Sequence, residues 1–343
     1  MTLETAPADV LSGAIGRFRP VPEEIGRYET DAVTGALALR AEPAQVARLA
    51  ACGLPHRDDG ERGPLFDYDD LMNVGMFCGS GQTVPEIGLR FLMRFASAPR
   101  DTWFEPRTWE VGVHPVHTPG GPAAAPATGP RPEVTVRLPD GAAPGVDVLH
   151  LAPAAPALLD GADLVPSGYR AEVRLGGAHQ EVRDPAVAAV WQEVVDGFTS
   201  RRVTYQTVPE ALRADHERAW DLGVADCIVA ARLLAARLRH AGYEARARRG
   251  YLLGLFGSDH AWCEVVEDGV AKCLDPVFAF VATVGDERGA PKSPEFAAAC
   301  RGSRFNRLLP CRTGDAEPLV YFDGAAAPYW AMVGVSARPR RTV

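Results

Sequence analysis

Apolar positions along this chain change period several times, and each change marks an element. Ile228, Ala231, Leu234, Ala235 and Leu238 recur at three- and four-residue steps and stop at His240-Ala241-Gly242. That spacing predicts a helix from about residue 227 with one apolar face and a glycine stop. Val187, Val190, Trp191, Val194, Val195 and Phe198 repeat the pattern behind Asp184-Pro185, and another helix is expected over 209–222. Residues 43–52 and 84–96 share the spacing, each with a proline suited to a first helical turn. Alternating segments at 109–113, 133–138, 169–175, 245–253, 260–266 and 270–275 predict strands. Glu267-Asp268-Gly269 between the last two reads as a hairpin turn. The second half of the chain is therefore three helices followed by an antiparallel meander.

Two stretches interrupt these patterns. Residues 118–131 are too rich in Pro, Gly and Ala for regular structure and are expected to form a loop. A similar stretch at 152–166 is the expected domain boundary, dividing a mixed N-terminal α+β domain, 1–165, from a second domain, 166–343. At 343 residues, about two domains is the ordinary expectation.

Charge and composition narrow the function. The net charge of -8 and pI near 5.6 argue against a nucleic-acid partner, which would require clustered cations. No apolar run approaches the roughly 20 residues that span a bilayer, so no membrane partner is expected. Acidic residues stand near the N-terminus where a secretory signal carries positive charge, and a cytoplasmic location is expected. Seven cysteines, odd in number and irregularly spaced without a CxxC pair, suggest neither a disulfide framework nor structural zinc. No cofactor or metal is expected, and a thiol is left for chemistry.

Three residues carry that possibility. Cys227 follows Asp226 at the predicted helix start, His260 opens His260-Ala261-Trp262-Cys263-Glu264, and Asp275 precedes Pro276. The hairpin numbering relates the last two. If Val266 faces Gly269, His260 and Asp275 are directly opposite; if Asp268-Gly269 is a two-residue loop, they are diagonal neighbours on one face. In both of these registers the carboxylate can hold the imidazole, whereas a three-residue loop with a bulge at Gly269 would alter the relation. A thiol at a helix N-terminus gains from unpaired amides and the positive end of the dipole, and a nearby imidazole adds to that. A backbone N–H of the same turn could stabilise an oxyanion. Singly, each residue has an ordinary structural reading; the shared order and context favour a nucleophile, base and orienter.

Cys78, in Phe77-Cys78-Gly79-Ser80-Gly81-Gln82, is a second glycine-flanked thiol without an evident base, and is expected to contact substrate or shape a turn. Asp226 and Trp262 are further candidates for the cleft. Cys263 and Cys273 read as core.

Residues 190–280 resemble the transglutaminase-like, papain-related core. The resemblance rests on Cys227 at a helix start, Leu238-Arg239-His240-Ala241-Gly242, the His260-to-Glu264 segment and Asp275-Pro276. It implies an α+β fold with the nucleophile helix packed on an antiparallel sheet. It also implies a triad in which Cys227 is nucleophile, His260 is base and acid, and Asp275 is orienter. Ala225 stands where the family often has glycine. Trp191 matches the position of an upstream oxyanion tryptophan in crosslinking members, although its helical spacing also suits a core residue. The resulting expectation is acyl transfer through a thioester on Cys227, with an amide, peptide or carrier-bound thioester as donor and an amine or water as acceptor. The alternatives are a cysteine peptidase or amidase, and a binding protein on a degenerate core.

Overall fold

The computed structural model describes residues 8–115, 133–152, 162–254, 258–284, 293–326 and 333–339. The expected loop at 118–131 and most of the stretch at 152–166 lie outside them.

At the centre is the helix Cys227–His240. Its first three turns are buried on nearly every side, through Ile228, Val229, Ala230, Ala231, Leu233, Leu234 and Ala235. The sequence pattern shows one apolar stripe; the structure buries residues around most of the helix and leaves only its end, Arg239 and His240, exposed. The strands Ala245–Leu252 and Ser258–Glu267 cover one side, and the helices Pro185–Thr199 and Pro276–Val284 pack on it elsewhere. Small residues such as Ala230, Ala231 and Ala235 let these neighbours approach closely.

The sheet against this helix has five antiparallel strands in the order Arg301–Gly302, Val270–Leu274, Ser258–Glu267, Ala245–Leu252, Leu308–Pro310. Its central hairpin pairs Glu267 with Val270 and Cys263 with Leu274. Asp268 and Gly269 therefore form a two-residue loop, with φ of 54° and 73°. Two consecutive left-handed residues are what a twist-matched hairpin turn requires, and Asp-Gly accepts them. This is the register that makes His260 and Asp275 diagonal neighbours.

The helix expected over 209–222 is two short helices, Glu210–Ala214 and His216–Asp221. The break is at Asp215, whose side chain accepts the Arg218 amide and caps the second piece. Asp184 caps Pro185–Thr199 in the same manner, through the Ala186 amide.

The division expected at residue 166 runs through a sheet. Arg107–Pro115 pairs with Tyr169–Leu175 and with Val333–Pro339. Their inward side chains, Trp109, Val111, Val173 and Leu175, share a core with Tyr251, Leu253 and Leu309. Proline-rich composition marks where regular structure stops, but not which strands pair afterwards. A third core holds the N-terminal helices Ala32–Leu39, Pro43–Ala51 and Tyr68–Phe77, while the next helix, Val84–Ala96, gives Leu92, Met93 and Phe95 to the core around Cys227–His240. That helix also reaches the five-stranded sheet, since a Cβ on Gly254, just past Ala245–Leu252, would overlap the Phe91 ring.

Candidate active site

Cys227 is the first residue of the central helix, and Asp226 is its N-cap. Asp226 Oδ1 accepts the amides of Ile228 and Val229, both at 2.9 Å, and Oδ2 accepts Arg213 Nε at 2.7 Å. Two of the amides expected to be unpaired are thus taken by the cap, while the Cys227 amide is not among them. Asp226 is buried and committed to these bonds, so it positions the thiol rather than lining a cleft.

His260 Nε2 lies 2.6 Å from Asp275 Oδ2. The other Asp275 oxygen, Oδ1, accepts the Phe278 amide at 2.9 Å, and the Asp275 amide donates to the Cys300 carbonyl at 3.0 Å. Asp275 therefore caps the helix Pro276–Val284 while it holds the imidazole, and Pro276 suits the first position of that helix. The Phe278 ring stacks on the imidazole at 4.1 Å between centroids, fixing the plane of His260.

With Nε2 engaged by Asp275, the remaining ring nitrogen, Nδ1, is the atom left for Cys227, whose side chain adds to the pull on the His260 proton. Burial opposes a charge on His260, but the Asp275 and Cys227 charges and the hydrogen bond to Asp275 outweigh it. The imidazole pKa rises from 6.5 to about 10. At neutral pH the proton sits on the ring, between a carboxylate and a sulfur. The three groups are 9%, 5% and 2% exposed for Cys227, His260 and Asp275, so little water competes with these interactions.

A comparison with known families bears on the stretch that holds Cys227 and His260. Residues 171–270 match the model of the transglutaminase-like superfamily. This stretch is transglutaminase-like in sequence. No curated protein matches the chain. A solved structure of a Cytophaga hutchinsonii protein, provisionally named a cysteine protease, is similar at 13% identity and a TM-score of 0.33, covering 70% of this chain and 92% of its own. The α+β architecture and the thiol at the helix start suit the transglutaminase-like domain to cysteine-based catalysis.

Within the transglutaminase-like domain, a line of buried and half-buried charges ties the thiol's helix to the strand of the imidazole. Asp259, next to His260, pairs with Arg249 at 2.6 Å; Arg249 pairs with Glu210 at 2.5 Å; Glu210 pairs with Arg213 at 2.7 Å; and Arg213 reaches Asp226. Each inner member lies between opposite charges, which is how buried ions are tolerated. Burial would raise the Glu210 pKa, but Arg249 and Arg213 overcome it and lower it to about 2.

The other sequence candidates fall differently. Trp191 is buried among Val187, Val194 and Phe198, the position of a core side chain, so its spacing is explained by packing. Trp262 is also buried; its ring lies 6.3 Å from the His260 ring, and its Nε1–H points to Glu264 at 3.4 Å. Cys78 is buried with its thiol directed at the Gly75 carbonyl, while the glycines after it, Gly79 and Gly81, border a cleft. Cys263 and Cys273 are core residues whose thiol pKa values burial pushes up.

Sequence reasoning missed Phe278, Tyr205 and the two arginines Arg213 and Arg249. Phe278 had a usable signal, because Asp-Pro before an apolar helix puts a definite residue over the cap. Tyr205 lies on the strand Thr204–Tyr205, which runs parallel to Val224–Ala225 and pairs with Ala225, two residues before Cys227. Its phenol pKa is held well above the ordinary value by burial and by the charges of Cys227, Asp226 and Asp275.

Proposed function

We propose that the chain transfers an acyl group through a thioester on Cys227, from an amide or thioester donor to an amine. The observation that carries this reading is His260, held at 2.6 Å by Asp275 and with its charged form favoured by both Asp275 and Cys227.

In the first half-reaction the Cys227 thiolate adds to the donor carbonyl, and the amide of Cys227, which Asp226 leaves uncommitted, is suited to donate to the oxyanion. The carbon-to-leaving-group bond then breaks, and imidazolium gives its proton to the departing amine or thiol. In the second, neutral His260 takes a proton from the incoming amine as its nitrogen attacks the thioester, and the carbon–sulfur bond breaks to return the thiolate. Asp275 stays ionised and keeps the ring in the productive orientation.

The low exposure of the three groups favours transfer over hydrolysis, because an amine must reach the thioester ahead of bulk water. Intact-mass spectrometry after incubation with activated acyl donors should find one acyl adduct on the wild type and none on Cys227→Ala. Added amines should then discharge the adduct faster than water does. An unchanged rate of discharge across a range of amines would leave hydrolysis as the activity, and full turnover by Cys227→Ala would end the thiol reading altogether.

A further inference from the structure

A cleft of about 580 Å³ lies between the N-terminal helices and the transglutaminase-like domain. Phe77, Leu89 and Met93 line it from the N-terminal side, and Phe198, Tyr205 and Phe280 from the other. Its size is that of a pocket for a small organic ligand. Cys227, His260 and Asp275 are not among its lining residues, but two of its walls are joined, by strand pairing or along the chain, to elements that hold them. Tyr205 pairs with Ala225 beside the thiol, and Phe280 is on the same helix as Phe278, which stacks on His260.

The charge at this cleft runs against that of the chain, whose net charge is -8. Arg17, Arg90 and Arg201 border it, and among the described residues none of the three pairs with a carboxylate. Arg17 donates to the Phe77 carbonyl at 2.6 Å and Arg90 to the Gly81 carbonyl, bonds that orient a guanidinium without neutralising it. Glu86, the acid on the lining, is occupied by Ser80 at 2.7 Å, by the Gln82 amide at 2.9 Å and by Thr83. The cleft is thus apolar in its body and cationic at its edge.

We propose that this cleft is the acyl-donor pocket and that it selects a donor with an apolar body and an anionic group, a carboxylate or a phosphate. The inference rests on the thioester reading above and adds the class of donor to it. A carboxylate would belong to the acyl group itself; a phosphate would belong to the prosthetic arm of a carrier.

The test uses full-length Cys227→Ala protein, in which binding is read without turnover. Isothermal titration with 2-naphthoate, 2-naphthyl phosphate, uncharged 2-naphthol and 2-naphthylmethylammonium should rank either anion above the neutral and cationic probes. Arg90→Gln and Arg201→Gln should each weaken anion binding about fivefold, since an exposed charge pair contributes up to about 1 kcal/mol. Arg90→Lys should restore most of the loss. Leu89→Gln should weaken all four probes. Tighter binding of the carboxylate would point to an acidic acyl group, and of the phosphate to a carrier arm. Equal affinity for all probes, no saturable binding, or anion binding indifferent to the arginine variants would overturn the proposal. If the anions bind as expected but no adduct ever forms on wild-type Cys227, the thioester reading fails and the pocket stands. If adducts form equally well whatever the arginine variant and donor charge, the reverse holds.

Discussion

Asp275 holds His260 Nε2 at 2.6 Å with one oxygen and caps the following helix with the other. The two tasks can be separated by substitution. Asp275→Asn keeps an acceptor for the Phe278 amide, whereas Asp275→Ala removes both functions. We expect both variants to lose about 10²- to 10⁴-fold in kcat, because the ring loses its carboxylate. Only the alanine variant should also lose about 1 kcal/mol or more of stability with the cap. Comparable kcat in wild type and Asp275→Asn would remove Asp275 from the proposed triad.

The raised His260 pKa sets a direction for pH dependence. Its folded value of about 10 stands above the ordinary 6.5, so its contribution to stability is whole below pH 6.5 and is lost as pH rises through about 10. The same titration should form the alkaline limb of kcat/KM. In Asp275→Asn that limb should move toward neutrality, a shift visible in a pH–rate profile between pH 6 and 11. An unmoved limb would mean another group titrates there.

Glu210 stands between two buried guanidinium groups, at 2.5 Å from Arg249 and 2.7 Å from Arg213. Glu210→Gln would leave both cations short of a partner, and urea denaturation should register a loss of about 3–5 kcal/mol. Because its folded pKa is lowered to about 2, its contribution is present above the unfolded value of 4.5 and is lost as pH falls through about 2. The destabilisation by Glu210→Gln should accordingly shrink in strong acid. A loss below 1 kcal/mol at neutral pH would show that the pairs are not coupled to stability.

Asp70 has the opposite sign. Burial, with smaller contributions from Asp67 and Asp69, raises its pKa from 3.8 to about 8 despite the hydrogen bond from the Val21 amide. The folded chain then keeps a proton that the unfolded chain releases, so stability declines as pH rises from about 4 to 8. Asp70→Asn cannot ionise, and thermal melts from pH 5 to 9 should show a flatter decline than in the wild type. Parallel curves for the two proteins would contradict the shift.

Much of the site was legible because it is built from neighbours in sequence. Asp226 caps the helix that Cys227 begins, and Asp275 caps the helix that Phe278 helps to start; such bonds span two or three residues. The hairpin was legible up to its register. Asp268 and Gly269 both tolerate positive φ, and that tolerance decided for the two-residue loop over the alternative. Trp191 shows the limit of a positional match, since its spacing fits both an oxyanion donor and a core side chain, and burial decided for the core.

By itself, then, the sequence determined the helix bearing Cys227, the hairpin bearing His260, the Asp275-Pro276 cap and the α+β class. Each rests on periodicity, turn chemistry or capping, which act over a few residues. Tertiary structure alone decided the line of charges from Asp259 to Asp226, the sheet that crosses residue 166, and the cleft shared by Phe77, Tyr205 and Phe280. Those features join residues tens to hundreds of positions apart, and what brings them together is the burial of apolar surface and the pairing of buried charge, neither of which leaves a local pattern.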